Sequence, residues 1–299
     1  MAHLVEKLAY PTQAVQLLEE AESCVENSDG ALALYKTLRA EYLFTHMGDV
    51  KESKRVLDQA KKLLRGIPVT AIVHGRFYSL SSRWHESQGH YEKVYRKILR
   101  YLDCVHVENI PKDESLRLSK ALVTAALVGK KLFDLGEVVC HPVMTALSPE
   151  DKWMLHLLHH MNEGRLDAVL DMEETCTTHP LLRLHWDNIL DKAQLLCLMQ
   201  MFFTRHPQQR VLPLSDVAGQ MRMPESDVEL LLIRAMAQGL IRGSIDQVES
   251  IVRVIWVRPR MLHREQLIPF LNRLDDWCSE IKSLESWAVE KIEQLEALS

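Results

Sequence analysis

The sequence predicts a mainly α protein in which stacked helix pairs give way to a compact helix-and-hairpin unit and end in one long helix. Three observations carry this reading. Glycine and proline number only 11 each in 299 residues, against a usual glycine share of ~7%, so there are few breakers for a turn-rich β architecture. Helix-stop signals recur along residues 1–190. Beyond about residue 190 the pattern becomes three helices followed by two β-rich runs. Apolar residues make up 47% and charged residues 26%, ordinary globular values that exclude a disordered chain.

Four breakpoints join helical stretches in the first part: HMGDVKESKRVL at Gly48, SQGHYEKVYRKIL at Gly89, KKLFDLGEVV at Phe133 and MNEGRLDAVL at Gly164. Their spacings are 41, 44 and 31 residues. One helix pair cannot bury its own apolar face, so pairs at such spacing stack into an α-solenoid of helix–turn–helix repeats. Each glycine serves as the left-handed stop of a helix, and Asp49 is placed to cap the next one. The plainer alternative is an irregular helical domain, because the repeats share no strong signature. Residues 1–190 are assigned to this part.

Residues 191–262 read as a winged helix. DKAQLLCLMQMFFTR is one strongly apolar helix, ended by Pro207 and a polar loop. PLSDVAGQM is a short helix with Ser215 as its expected cap, and Met223-Pro224 makes the turn. In ESDVELLLIRAMAQGL, Val228, Leu231, Leu232, Ala235 and Met236 form one buried stripe and Gly239 is the stop. LIRGSI and IVRVIWV, separated by the polar DQVES, read as a small β-hairpin wing. By alternation Val252, Val254 and Trp256 face the helices. The opposite face carries Ile251, Arg253, Ile255 and Val257. A solvated face should be more polar than that, so these four are assigned to an interface.

Residues 263–299 read as one long amphipathic helix that Pro269 starts or kinks. Leu267, Leu271, Leu274, Cys278, Ile281, Glu285, Ala288, Ile292, Leu295 and Ser299 alternate in steps of four and three, a heptad broken at Glu285 and Ser299. Trp277, Leu284 and Trp287 broaden the stripe. Residues 264–299 hold four basic and eight acidic groups. Such a helix docks in trans to a helical bundle or folds back on its own domain.

Composition and motifs argue against several chemistries. A net charge of −5 and a pI of about 6.3 leave no global basic footprint for nucleic acid or membrane. The helix that would read DNA carries Glu225, Asp227 and Glu229 against Arg234 alone, and phosphates repel it. His156 and His160 lie four apart, with Cys176 and His179 nearby in sequence. However, Leu157 stands where a zinc protease needs glutamate. Gly129-Lys130 lacks the rest of a phosphate-binding loop, and none of the six cysteines forms a Cys-x-x-Cys pair. The cysteines fit reduced thiols of an intracellular compartment. MAHLVEKLAY lacks a signal-peptide core, and no apolar run reaches ~18 residues. No catalytic, cofactor or metal site is assigned.

Solenoid, winged helix and terminal helix in this order resemble PCI-domain proteins. These are scaffold subunits of the proteasome lid, the COP9 signalosome and the translation initiation factor 3 complex. VHGRFYSLSSRWHESQGHYEKVYRKILRYLDCV, FDLGEVVCHPVMTAL, KAQLLCLMQMFFTR and GLIRGSIDQVESIVRVIWVRPRML are similar to the lid branch, over residues 10–290. The resemblance implies a non-catalytic subunit of a large hetero-oligomer, resident in cytoplasm and nucleus and without cofactor. It implies other lid PCI subunits, the JAB-type isopeptidase and the ubiquitin-receptor region as partners, with no nucleic acid and no membrane. It assigns the wing, Leu240–Ile245 and Ile251–Val257, to a neighbouring PCI subunit and Leu271–Leu295 to a shared bundle. It also implies further helices before the part matched here, so that Met1 falls inside the solenoid. A subunit of one of the other PCI complexes, a winged-helix nucleic-acid binder and a zinc site at His156, His160 and Cys176 are the competing readings.

Overall fold

The computed structural model describes residues 28–259 and 264–296. Cys24 and Ser299 lie outside the described residues, as do the side chains of Leu267, Ile292 and Leu295 within the last helix. Fourteen α-helices and three strands are present among the described residues. The chain divides into two compact units, one ending at Arg258 and the other starting at Pro259.

The first unit opens with α1 (Asp29–Thr45), α2 (Val50–Leu64), α3 (Arg76–Ser87) and α4 (Tyr91–Cys104). A π-helical turn, Ala71–Gly75, leads into α3. Four predicted glycine stops hold in this region and beyond. Gly48, Gly89 and Gly164 have φ of +67°, +66° and +72°, as does Gly239 at +67°, the left-handed region that ends a helix. The Asp49 carboxylate accepts the Glu52 N–H at 3.0 Å, capping α2. Ala33, Leu43, Val56, Leu57, Phe77 and Leu80 of α1–α3 make one small core.

Regular pairing loosens after α5 (Lys112–Val128). Phe133 is buried in an irregular stretch before α6 (Gly136–Val139). Then come α7 (Lys152–Glu163), three short helices α8 (Leu166–Asp171), α9 (Glu173–Thr178) and α10 (Pro180–Leu184), and the long α11 (Trp186–Phe203). The expected divide at residue 190 falls inside α11. Its buried Ile189, Leu195, Leu198 and Phe202 belong to one continuous core running from Val94 on α4 to Val257 in the wing. The last repeats and the winged helix are therefore packed as one body, as helix faces that share apolar contacts must be.

Gly164 shows how tightly α7 meets α11. A Cβ there would come within 2.7 Å of Gln200 Cβ and 3.2 Å of Cys197 Cα. Gly48 has the same backbone sign with nothing within 4 Å. Gly48→Ala should therefore cost only the left-handed strain, ~1–2 kcal/mol. Gly164→Ala should cost about twice that, because overpacking adds to it. Denaturant midpoints of the two variants measure this difference; equal losses would show that α11 yields freely.

The winged-helix elements are β1 (Val211–Pro213), α12 (Leu214–Met221), α13 (Glu225–Ala237), β2 (Ile241–Asp246) and β3 (Ile251–Val257). The strands form an antiparallel sheet in the order β1-β3-β2. Strand β1 was not anticipated: three residues are too few to show alternation. It also corrects the expected cap. Pro213 occupies the position before α12, Ser215 lies within the first turn, and the Leu214 N–H donates to the Ser250 carbonyl at 2.8 Å. The strand thus runs straight into the helix. Val228, Leu231, Leu232 and Ala235 of α13 are buried as predicted, and Met236 is partly buried.

The second unit contains one helix, α14 (Arg264–Glu296). It starts before Pro269, so the proline sits in its second turn rather than at its start.

Candidate protein-interaction surfaces

The wing hairpin is shaped by a β-bulge. Arg242 pairs with Trp256, but the next residue, Gly243, pairs with Val254. Ile255 is the extra residue, without a partner on β2. A bulge shifts every later side chain to the opposite face. Val252 and Val254 point into the core before it, and Val257 does so after it, at 8% exposure. The expectation that Val257 shares the outer face is thereby corrected. Trp256 is only partly buried and lies under the Arg242 guanidinium, 4.7 Å from the ring centroid. Arg253 is exposed, Ile251 half-buried, and Ile255 is 74% exposed.

The turn at the wing tip is built by Asp246, whose carboxylate accepts the N–H groups of Val248 and Glu249 at 3.0 and 3.2 Å. Gln247 donates to the Glu229 carboxylate, tying the tip to α13. On the outward face of α13, Leu230 and Ile233 are each about half exposed. Their signal is in the sequence: the run Leu230–Ile233 holds more apolar residues than one buried stripe needs. This face is acidic and apolar, and Arg234 lies 3.7 Å from Asp191. A reading helix for DNA needs cationic or amide side chains there instead.

On α14 the described residues of the apolar stripe are accessible. Leu271, Leu274, Trp277, Ile281, Leu284 and Trp287 are 53–65% exposed, and Cys278 and Ala288 are exposed as well. Large apolar side chains in such density leave one face of the helix apolar and open to solvent. The helix carries surplus acid, eight acidic against four basic groups over 264–299.

The other candidate chemistries receive little from the geometry. Among the described residues no three His, Cys, Asp or Glu side chains converge as a metal-holding group. Cys176 is fully buried, and burial pushes its thiol up to about 11. No helix among the described residues is long and apolar enough to cross a membrane. Lys192 on α11 is buried. Burial lowers its pKa to about 7, with Glu92 acting weakly against the shift. Its Nζ donates to the carbonyls of Ala126 and, at 3.0 Å, Gly129. The Ala126 carbonyl is one that the end of α5 leaves without a helical donor, and the Gly129 carbonyl follows it at the C-cap.

Comparison with known proteins agrees with this arrangement. A family model described as PSD13 N-terminal repeats matches residues 1–158, and the PCI domain model matches residues 159–256. The chain is 31% identical over 243 residues to the 26S proteasome non-ATPase regulatory subunit 13 homolog A of Arabidopsis thaliana, covering 78% of this chain and 62% of that protein. It is 31% identical over 239 residues to the probable 26S proteasome regulatory subunit rpn9 of Schizosaccharomyces pombe, covering 79% and 62%. It is 27% identical over 268 residues to the 26S proteasome regulatory subunit RPN9 of Saccharomyces cerevisiae, covering 87% and 66%. The chain thus spans less than two thirds of the length of the relatives it matches.

Proposed function

Since the chain belongs to the family with PSD13 N-terminal repeats, here followed by a PCI domain, we propose that it is a non-catalytic scaffold subunit of the 26S proteasome regulatory-particle lid. It supports assembly, and so the ATP-dependent degradation of ubiquitinated proteins, in cytoplasm and nucleus. Its wing, through Ile251, Arg253 and Ile255, contacts a neighbouring PCI subunit. Its terminal helix, through Leu271, Leu274, Trp277, Cys278, Ile281, Leu284, Trp287, Ala288, Ile292 and Leu295, enters a bundle with other lid subunits. In that position it helps hold the JAB-type isopeptidase and the ubiquitin-receptor region.

The observation that carries this reading is the run of six large apolar side chains, each more than half exposed, between Leu271 and Trp287. Leaving such area in water is unfavourable by roughly 25 cal/mol per Å², and burial against partner helices recovers it. The family gives those partners their identity. The test is expression of the full chain in cells with Leu274, Trp277, Ile281 and Leu284 changed to aspartate. Because these positions are exposed, the melting temperature of the isolated chain should not fall. Co-purification with regulatory-particle subunits should be lost. A variant that still assembles at the normal level would remove the helix from the assembly surface.

A further inference from the structure

A groove of about 550 Å³ lies between the end of α2, the π-helical turn and α4. It has the opposite electrostatic character to the chain as a whole, whose net charge is −5. Lys61, Arg65, Lys97 and Arg100 line it, and no carboxylate does. No ion pair joins any of the four to a carboxylate among the described residues. Asp58, the acid that acts on Lys97, is itself paired with Lys54 at 2.8 Å.

The floor is aromatic. Lys97 Nζ sits 5.0 Å from the Phe77 ring centroid and 5.1 Å from that of Tyr78, and the Arg100 guanidinium lies 5.9 Å from Tyr78. Burial lowers the Lys97 pKa to about 8, and repulsion by Lys61 and Arg100 lowers it further in the same direction. The neighbouring His85 is held down to about 4 by burial and then by Lys54, Lys93 and Lys97. Cations crowded this way raise the free energy of the empty groove, and an anion placed there relieves it. The rim is apolar: Val69, which lines the groove, is 72% exposed, and Ile72 in the adjoining π-helical turn is 71% exposed.

We propose that this groove docks an acidic linear segment of a partner protein, one that carries at least one large apolar residue among its carboxylates. The four cations meet the carboxylates, and Val69 and Ile72 meet the apolar side chain, so both halves of the surface are used. A free phosphate would use the cations alone. The phosphates of a nucleic acid would likewise meet the cations and leave the apolar rim unused. The proposal concerns the first repeats and stands independently of the assembly reading given to the wing and α14.

The test uses the purified full chain and a fluorescent twelve-residue peptide of Asp and Glu with leucine at every third position. Saturable binding that weakens with salt is expected. Changing the exposed Lys61, Arg65 and Arg100 to glutamate should weaken it about tenfold or more, since each lost pair is worth up to about 1 kcal/mol. The melting temperature should hold; if the triple variant unfolds, Arg100→Glu alone gives the same reading at smaller amplitude. Replacing the leucines by serine should also weaken binding. Absence of saturable binding at low salt, or equal binding by the charge variants, would overturn the proposal. So would pyrophosphate or an RNA oligonucleotide binding more tightly through the same residues.

Discussion

Lys192→Met should destabilise the first unit by about 2–3 kcal/mol and remove part of its pH response. The native ammonium or amine donates to two carbonyls at the C-terminal end of α5. Methionine keeps the length and bulk but offers no donor, so the Ala126 carbonyl stays buried without its partner and the Gly129 carbonyl keeps only the longer bond from the Leu132 N–H at 3.4 Å. Each such loss costs about 1–3 kcal/mol. Lys192→Ala should cost more, ~3–5 kcal/mol, because it also leaves a cavity in the shared core. The pH effect has a definite sign. The folded pKa is about 7, against 10.5 for the free side chain. Between those values the unfolded chain binds the proton and the folded one does not, so stability rises with pH there, by at most about 1.4 kcal/mol per unit. Below about 7 both states are protonated and this slope vanishes. Lys97, lowered to about 8, contributes a slope of the same sign, so the informative quantity is wild type minus variant. Denaturant midpoints at pH 6.5, 8 and 9.5 supply it. A difference that does not change with pH would mean that Lys192 stays charged in the fold.

That lysine also marks where sequence reading stops. In DKAQLLCLMQMFF it is one polar residue at the start of an apolar helix, indistinguishable from a solvated one. Only the approach of α5, more than sixty residues earlier in the chain, makes it a buried donor. Local features were legible for the opposite reason. Gly48 with Asp49 encodes a stop and a cap within two adjacent residues, and both are realised. The fold class followed from such signals, and so did the α13 stripe. Ser215 failed as a cap because strand pairing, a non-local contact, decided where α12 begins. The wing surface was legible as far as the alternation held. Arg253 and Ile255 lie outward, but Val257 does not, since the bulge depends on how β2 registers with β3. The cationic groove has only a diffuse trace in the sequence, twelve basic against four acidic groups over residues 51–100. Its charges come from Lys61 and Arg65 at the end of one helix and Lys97 and Arg100 on another, and neither pair is unusual alone.

The bulge rests on Gly243, and Gly243→Ala should be the most damaging small substitution in the wing. A Cβ at that position would lie 2.1 Å from the Arg253 carbonyl oxygen and 3.0 Å from Val254 Cα. Both are backbone atoms of the central strand, so no side-chain rotation relieves the contact and β2 must move away from β3. Leu240, Ile241, Val252 and Val254 lie in the core continuous with the repeats, so the displacement is felt beyond the hairpin. A loss of about 3 kcal/mol or more is expected, at the upper end of overpacking effects. The consequence for assembly separates the two proposed surfaces. With the strands apart, β3 loses the pairing with β2 that holds the outer face of the wing in place, whereas α14 belongs to the other unit and keeps its apolar face. Gly243→Ala should therefore reduce incorporation into the regulatory particle partially, and the four aspartates on α14 should abolish it. Hydrogen exchange of the β2 and β3 amides, read beside co-purification, distinguishes the cases. Fast exchange in the wing with full incorporation would remove the wing from the interface. Unchanged exchange would show that the strands accept the methyl group without separating.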